Sequence, residues 1–301
     1  MFSMYKNFTL KAIASTFEYF TFSSIKRYSA VKLNYTLCEE KVNTIKAPPI
    51  IILHGLLGSK NNWKSLCKVF AEKFNRQIFT LDARNHGDSP HTEEFNYKNM
   101  VSDVVEFMKG NKLENGILIG HSMGGKTAMM IALLHPELVE KLIVVDISPE
   151  DITSGAKDIS KYVKALMSVD IPQDVTISVA RGRITSDLKP EIRDPAILQF
   201  LLTNLVEKPK KHFKWKLNLQ SIYENLDHIC SFSCDIGKEF TGPTLFIAGE
   251  NSDYISSKHH GIIKKIFPDS EIKYIPGAGH WVHAEKPNDF LKIVTDFITS
   301  T

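Results

Sequence analysis

From residue 31 onward, short unbroken apolar runs alternate with longer stretches in which apolar positions recur every three or four residues. Ile50-Ile51-Ile52-Leu53 follows Pro48-Pro49 and is apolar throughout; Ile117-Leu118-Ile119 and Leu142-Ile143-Val144-Val145 repeat the pattern, and Ile78-Phe79-Thr80-Leu81 and Thr244-Leu245-Phe246-Ile247 do so with one threonine each. A strand with one wet face alternates polar and apolar, so unbroken runs predict strands covered on both faces, as in parallel sheets. Val31 to Leu37 does alternate and predicts a half-buried strand; Ile272, Tyr274 and Ile275 predict a last one. Val101, Val104, Val105 and Met108 fall at helical spacing, as do Phe290, Ile293, Val294, Phe297 and Ile298 behind a first-turn Pro287. Thr127 to His135 predicts a short buried helix that ends before Pro136. Such alternation predicts the α/β class, with a mostly parallel central sheet and helices on both faces.

One stretch breaks the rhythm. Residues 150–240 contain no evident strand pair, but Tyr162, Ala165, Leu166 and Val169, then Leu198, Leu201, Leu202 and Leu205, read as helices. They predict a helical cap inserted between a first core part, residues 31–149, and a second, residues 241–301. Caps of this kind cover ligands at the carboxyl edge of the strands. Residues 1–30 differ again. They hold Lys6, Lys11, Lys26 and Arg27 against one acid, Glu18, with Phe8, Lys11, Ala12 and Ser15 at helical spacing. Basic, Ser/Thr-rich and acid-poor leaders of this kind are typical of mitochondrial transit segments, whereas no clean apolar core of a secretory signal is present. The expected location is mitochondrial, in the matrix, with the cytoplasm as the alternative.

Composition narrows the class without naming a chemistry. A chain of 301 residues with 43% hydrophobic and 24% charged residues has the means to build a large core. The formal net charge of +3 arises largely in the leader, so no basic stripe calls for nucleic acid. No apolar run approaches the length of a membrane span. Cys38, Cys67, Cys230 and Cys234 are too scattered for a disulfide framework and lack zinc-site spacing, which suits a reduced intracellular protein.

Candidate chemistry sits at the strand ends. Gly120-His121-Ser122-Met123-Gly124 joins a predicted strand to a predicted helix and contains G-x-S-x-G. The flanking glycines permit a strained corner that lifts the Ser122 hydroxyl out of the sheet and onto a helix N-terminus, where free amides favour developing negative charge. Ser122 is therefore the candidate nucleophile. The amide of Met123, directly after it, is one candidate oxyanion donor. The loop Leu53-His54-Gly55-Leu56-Leu57-Gly58 follows another strand and supplies the second, at Leu56. His54 reads as a residue that pins this loop.

The general base has to come late in the chain. Gly277-Ala278-Gly279-His280 follows the last strand and makes His280 the candidate; His283 reads as a helix-start residue with structural hydrogen bonds. Two residues qualify as the acid that orients the imidazole: Asp146 at the end of Leu142–Val145, and Asp253 beyond Thr244–Ile247. The segment Asp82 to Ser89 reads as a turn held by polar side chains, with His86 a candidate pocket residue. His259-His260 reads as an exposed helix start without metal-ligand spacing. No cofactor or metal is implied.

The blocks HGLLGSKNNW, DARNHGDSPH, GHSMGGKTAM, VVDISP and GAGHWVHAEKP resemble the α/β-hydrolase domain-containing protein 11 family, which is related to bacterial short-chain esterases and yeast alcohol acetyltransferases. The resemblance spans residues 30 to 300. It implies an α/β-hydrolase fold with a cap and hydrolysis of carboxylic esters, with acylglycerols as substrates in a manner similar to diacylglycerol lipases. It also implies mitochondrial residence and Asp146 as the acid. Two alternatives stand beside it: acyl transfer to an alcohol with the same triad, and a non-catalytic binding protein. The expected partners are a small ester or acylglycerol and, through the cap, a membrane surface.

Overall fold

The computed structural model describes residues 29–39, 47–152, 155–232 and 237–300. Residues 1–28, nearly all of the expected transit segment, and Cys234 lie outside them. The central sheet contains β1 (Tyr35–Cys38), β2 (Ile50–Leu53), β3 (Ile78–Leu81), β4 (Gly116–His121) and β5 (Val139–Val145). After an inserted segment that holds the hairpin β6 (Leu205–Lys208) and β7 (His212–Trp215), β8 (Thr244–Gly249) and β9 (Ser270–Ile275) complete the sheet. The seven-stranded order is β1-β3-β2-β4-β5-β8-β9. Only the edge strand β1 runs antiparallel to its neighbour; the other pairings in this sheet are parallel.

The unbroken apolar runs are explained by two cores, one on each face. Ile50, Ile52, Ile117, Ile119, Ile143 and Val145 pack with α1 (Lys64–Phe74) and with α11 (Pro287–Thr299). Ile51, Leu118, Val144 and Phe246 turn the other way, towards α2 (Tyr97–Gly110), α3 (Met123–Leu134) and α9 (His260–Ile266). Neighbouring residues of one strand serve opposite cores because strand side chains alternate in direction. Each buried Ile→Ala exchange in these strands would cost about 2–5 kcal/mol.

The first strand is later than the alternation suggests. In Val31 to Asn34 the amides of Val31 and Asn34 donate to side chains, Asp103 Oδ1 at 2.7 Å and Ser89 Oγ at 2.8 Å, while the Asn34 carbonyl accepts the Asp82 amide at 2.9 Å; ladder pairing begins at Tyr35.

Between β5 and β8 the chain builds α4 (Ala156–Ser168), α5 (Ile177–Leu188), α6 (Pro195–Leu202), α7 (Leu219–Glu224) and α8 (Leu226–Cys230). The expectation of a strand-free segment needs correcting, because β6 and β7 pair antiparallel here, Leu205 opposite Trp215. Leu205 therefore opens a strand, and α6 stops at Leu202. The signal was present in β7, where Phe213 and Trp215 are buried while His212 and Lys214 are exposed. No helix among the described residues is long and apolar enough to cross a membrane.

Candidate active site

Ser122 sits between β4 and α3 with φ 51° and ψ −116°, a conformation costly for a residue with a side chain. Its neighbours explain how the corner closes. A Cβ on Gly120 would collide with the Gly124 carbonyl, and one on Gly124 would collide with the Leu53 carbonyl. The Ser122 amide donates to Val145 O at 3.0 Å, tying the corner to the end of β5. The next residue of β5's exit is Asp146, itself at φ 51° and fully buried.

Asp146 accepts from three donors in separate parts of the chain. Its Oδ1 accepts the Gly249 amide at 3.0 Å; its Oδ2 accepts the Ser252 hydroxyl and lies 2.7 Å from His280 Nδ1. A carboxylate accepts, so Nδ1 carries the histidine proton and Nε2 is left as an acceptor. His280 is further fixed by its own carbonyl, which accepts from His121 Nε2 at 2.9 Å, and by Tyr254, whose ring stacks on it at 4.0 Å. Burial and the neighbouring His280 and His283 hold the His121 imidazole well below the usual histidine range, so it stays neutral.

The structure thus brings Asp146 to His280 and leaves Asp253 exposed, in none of the hydrogen bonds of this cluster among the described residues. Asp253 fails for a local reason. The Gly249–Asp253 loop turns Ser252 inward as a donor to Asp146, which leaves the next side chain in solvent.

The opposite wall is the loop after β2. Leu56 and Met123 amides make no hydrogen bond within the described residues, and Met123 opens a helix whose first amides have no intrahelical partner. Two buried imidazoles brace the loop. His54 Nε2 accepts the Ala83 amide at 3.0 Å, so its Nδ1–H donates to Gly55 O at 2.7 Å. A trans peptide points its N–H opposite its C=O, so holding the Gly55 carbonyl also aims the Leu56 amide. His86 Nε2 accepts the Leu57 amide at 3.1 Å, and its Nδ1–H donates to Arg84 O at 2.9 Å. Desolvation pushes the His86 imidazole down to about 3, with His54 adding to the effect, so it remains an acceptor at neutral pH. His86 therefore supports the loop and does not line the cavity. Asp82 completes the support, accepting the Lys60 amide at 2.7 Å and the Asp88 amide at 2.8 Å.

Two other histidine expectations change. His283 lies in the first turn of α10 (Val282–Glu285) but stacks on Trp63 at 4.1 Å, and its Nδ1 has no partner among the described residues, so it packs rather than bonds. His259 and His260 do start a helical segment but are half-buried; His260 Nε2 lies 2.8 Å from the Tyr274 hydroxyl. No His/Cys/Asp/Glu group suited to a metal occurs among the described residues.

Ser122, His280 and Leu56 open into one cavity of about 230 Å³. Its far wall comes from the inserted segment: Ile159 and Tyr162 on α4, Ile197, Phe200 and Leu201 on α6, with Asp158 the lone carboxylate in the lining. Trp281, beside Phe200 at 5.5 Å, closes the other side. Tyr254, Ser252, His121 and Asn204 were not anticipated from sequence. Each acts on a residue distant in sequence, and even His121, inside the G-x-S-x-G segment, occupies one of its unspecified positions.

Residues 48–287 match the family described by the α/β hydrolase fold. A mouse (Mus musculus) protein named sn-1-specific diacylglycerol lipase ABHD11 is 45% identical over 83% of this chain and 81% of its own length. The Danio rerio protein of the same name is 41% identical over 91% and 85% respectively. Among solved structures, a marine microorganism esterase superposes with a TM-score of 0.82 at 39% identity, covering 89% of this chain and 100% of that one. The chain belongs to the α/β hydrolase fold family, in the group of the α/β-hydrolase domain-containing protein 11 relatives.

Proposed function

We propose that this protein is a serine hydrolase that cleaves carboxylic esters, diacylglycerols among them, through an acyl-enzyme. The supporting observation is the 2.7 Å contact between Asp146 and His280, set in a cavity that Ser122 also lines. Ser122 Oγ attacks the acyl carbonyl while His280 Nε2 takes its proton; buried Asp146 stabilises the imidazolium so formed. The Leu56 and Met123 amides receive the negative charge of the tetrahedral oxygen. His280 then protonates the departing alcohol, and water repeats the cycle on the acyl-enzyme. Apolar Ile159, Ile197, Phe200 and Leu201 suit an uncharged acyl chain, which agrees with the names of the mouse and zebrafish relatives. Hydrolysis of 1,2-diacylglycerols and matched short-chain esters, with Ser122→Ala beside the wild type, tests this reading. Turnover that survives the substitution rejects it.

Two further readings accompany it. The basic leader, residues 1–30, directs the chain to mitochondria; a reporter fused to these residues that stays cytosolic counts against this. Partly exposed Met167 and Val179 in the inserted segment give a peripheral contact with lipid surfaces; liposome flotation unchanged in Met167→Asp/Val179→Asp argues the opposite.

A further inference from the structure

The loop that carries the Leu56 amide is a tight turn. Gly58 N–H closes on Gly55 O at 3.0 Å, and Leu57, the third residue, has φ 60°. Such a turn asks for glycine or asparagine at that position; a leucine there is strained and needs outside support. Both polar groups of Leu57 are gripped. Its amide donates to His86 Nε2 at 3.1 Å, and its carbonyl accepts Asn204 Nδ2 at 2.8 Å. His86 belongs to the sheet's own loops, whereas Asn204 comes from the inserted segment, 147 residues away in sequence.

Asn204 is built for this contact. It is buried, 2% exposed, between the end of α6 and the start of β6. Its amide donates to Leu201 O at 3.1 Å and its carbonyl accepts the Lys216 amide at 2.9 Å, so its backbone is fixed within the inserted segment. Its side-chain amide splits between Leu57 O and Leu201 O, the latter at 3.2 Å. The neighbouring Leu201 and Ile197 line the cavity. One short element thus both walls the substrate space and holds the turn.

We propose that Asn204 is a positioning residue for the oxyanion-binding turn: with His86 it keeps Leu57 left-handed and the turn closed, so that the Leu56 amide, aimed by His54 through the Gly55 carbonyl, stays on the reacting carbonyl while the inserted segment is seated. The proposal rests on Leu56 acting as an oxyanion donor. It makes the inserted segment part of the transition-state machinery as well as a cover. Relaxation of Leu57 to the ordinary right-handed form would turn the Gly58 amide away from the Gly55 carbonyl, open the turn and loosen the Gly55–Leu56 peptide that carries the oxyanion donor. Ground-state binding to the apolar walls would be largely spared.

The test is a mutant cycle on the full-length enzyme with a soluble short-chain ester. Asn204→Ala lowers kcat about 10- to 100-fold, a share of what losing a whole oxyanion donor costs, while KM changes less than about twofold. Asn204→Leu, which keeps the branched side-chain shape and removes the amide that reaches Leu57 O, gives the same loss. A boronic acid, which forms a tetrahedral adduct, loses affinity by the same factor, and an ether analogue of the ester binds as before. In a Leu57→Gly background, where the left-handed conformation carries no strain, Asn204→Ala costs less than about threefold. An unchanged kcat overturns the proposal. So does an equal weakening of boronate and ether, or a loss that persists undiminished with Gly at position 57. Ser122→Ala runs alongside. If that variant still turns over, the esterase reading itself fails; if turnover needs Ser122 but ignores Asn204, only the positioning role falls.

Discussion

Tyr254 lies flat against His280, with ring centroids 4.0 Å apart and planes 24° from parallel. Burial pushes the Tyr254 phenol up to about 12, with Asp146 adding to the effect, so the ring stays neutral and offers its π face to the imidazolium that forms during attack. A cation over such a face gains about 0.5–2 kcal/mol, so Tyr254→Leu should lower kcat about 2- to 30-fold. Tyr254→Phe keeps the face and should keep the rate. Steady-state kinetics on one soluble ester separate the outcomes; Phe as damaging as Leu would mean the hydroxyl, not the face, matters.

Asp146 and Asp253 should behave oppositely. Asp146→Asn leaves the shape of the site but unsettles the His280 tautomer, and about a 10⁴-fold fall in kcat is expected. Asp253, exposed and unconnected to the cluster, should tolerate the same exchange with near wild-type kinetics. Equal, mild losses in both variants would refute the assignment.

Acid should unfold this protein early. His86 and His283 are pushed from 6.5 down to about 3 by burial, and His54 and His121 are also lowered, chiefly by burial. Below pH 6.5 the unfolded chain takes up protons that the folded chain refuses, so stability is present above that pH and lost as pH falls towards 3. Each fully refused proton costs at most about 2 kcal/mol by pH 5. Urea midpoints followed by tryptophan fluorescence should drop steadily from pH 7 to pH 5. A flat profile would mean that these rings titrate freely in the folded state.

Lys126, fully buried on α3, donates to the Cys230 and Ser231 carbonyls at 3.0 and 3.2 Å. Burial lowers it from 10.5 to about 8. Between these values the unfolded chain holds a proton that the folded one releases, so stability rises with pH across that window. The unfolding free energy of wild type relative to Lys126→Met should therefore climb by up to about 3 kcal/mol from pH 8 to 10.5. Denaturant melts of both proteins at each pH measure the difference, and a constant difference would contradict it.

The residues that were legible in the sequence answer to local physics. Ile50–Leu53 and Ile78–Leu81 have the bounds the sequence runs gave them, because burial on both faces leaves no alternation of polar and apolar positions, with Thr80 the one polar residue of the two strands. Ser122 was readable because a strained corner demands glycine at 120 and 124, within two residues. His280 was readable from its glycine-flanked loop after the last strand. Asp146 and Asp253 both end strands, and only the three-dimensional path of the Gly249–Asp253 loop separates them. Tyr254 and Asn204 left no local trace, since a ring stacked on a loop 26 residues later looks like any half-buried tyrosine, and a tertiary amide contact has no period. The β6–β7 hairpin was missed because two strands of four residues are shorter than the helical pattern that overlaps Leu205.

Every step of the proposed reaction depends on Ser122 Oγ acting as the nucleophile that becomes covalently modified. Intact-mass measurement after exposure to a fluorophosphonate, followed by peptide mapping, tests it most directly. A single phosphonyl adduct on Ser122 is expected, absent in Ser122→Ala and greatly slowed in Asp146→Asn. A wild-type protein that takes up no label, or takes it up equally well with alanine at position 122, would contradict it.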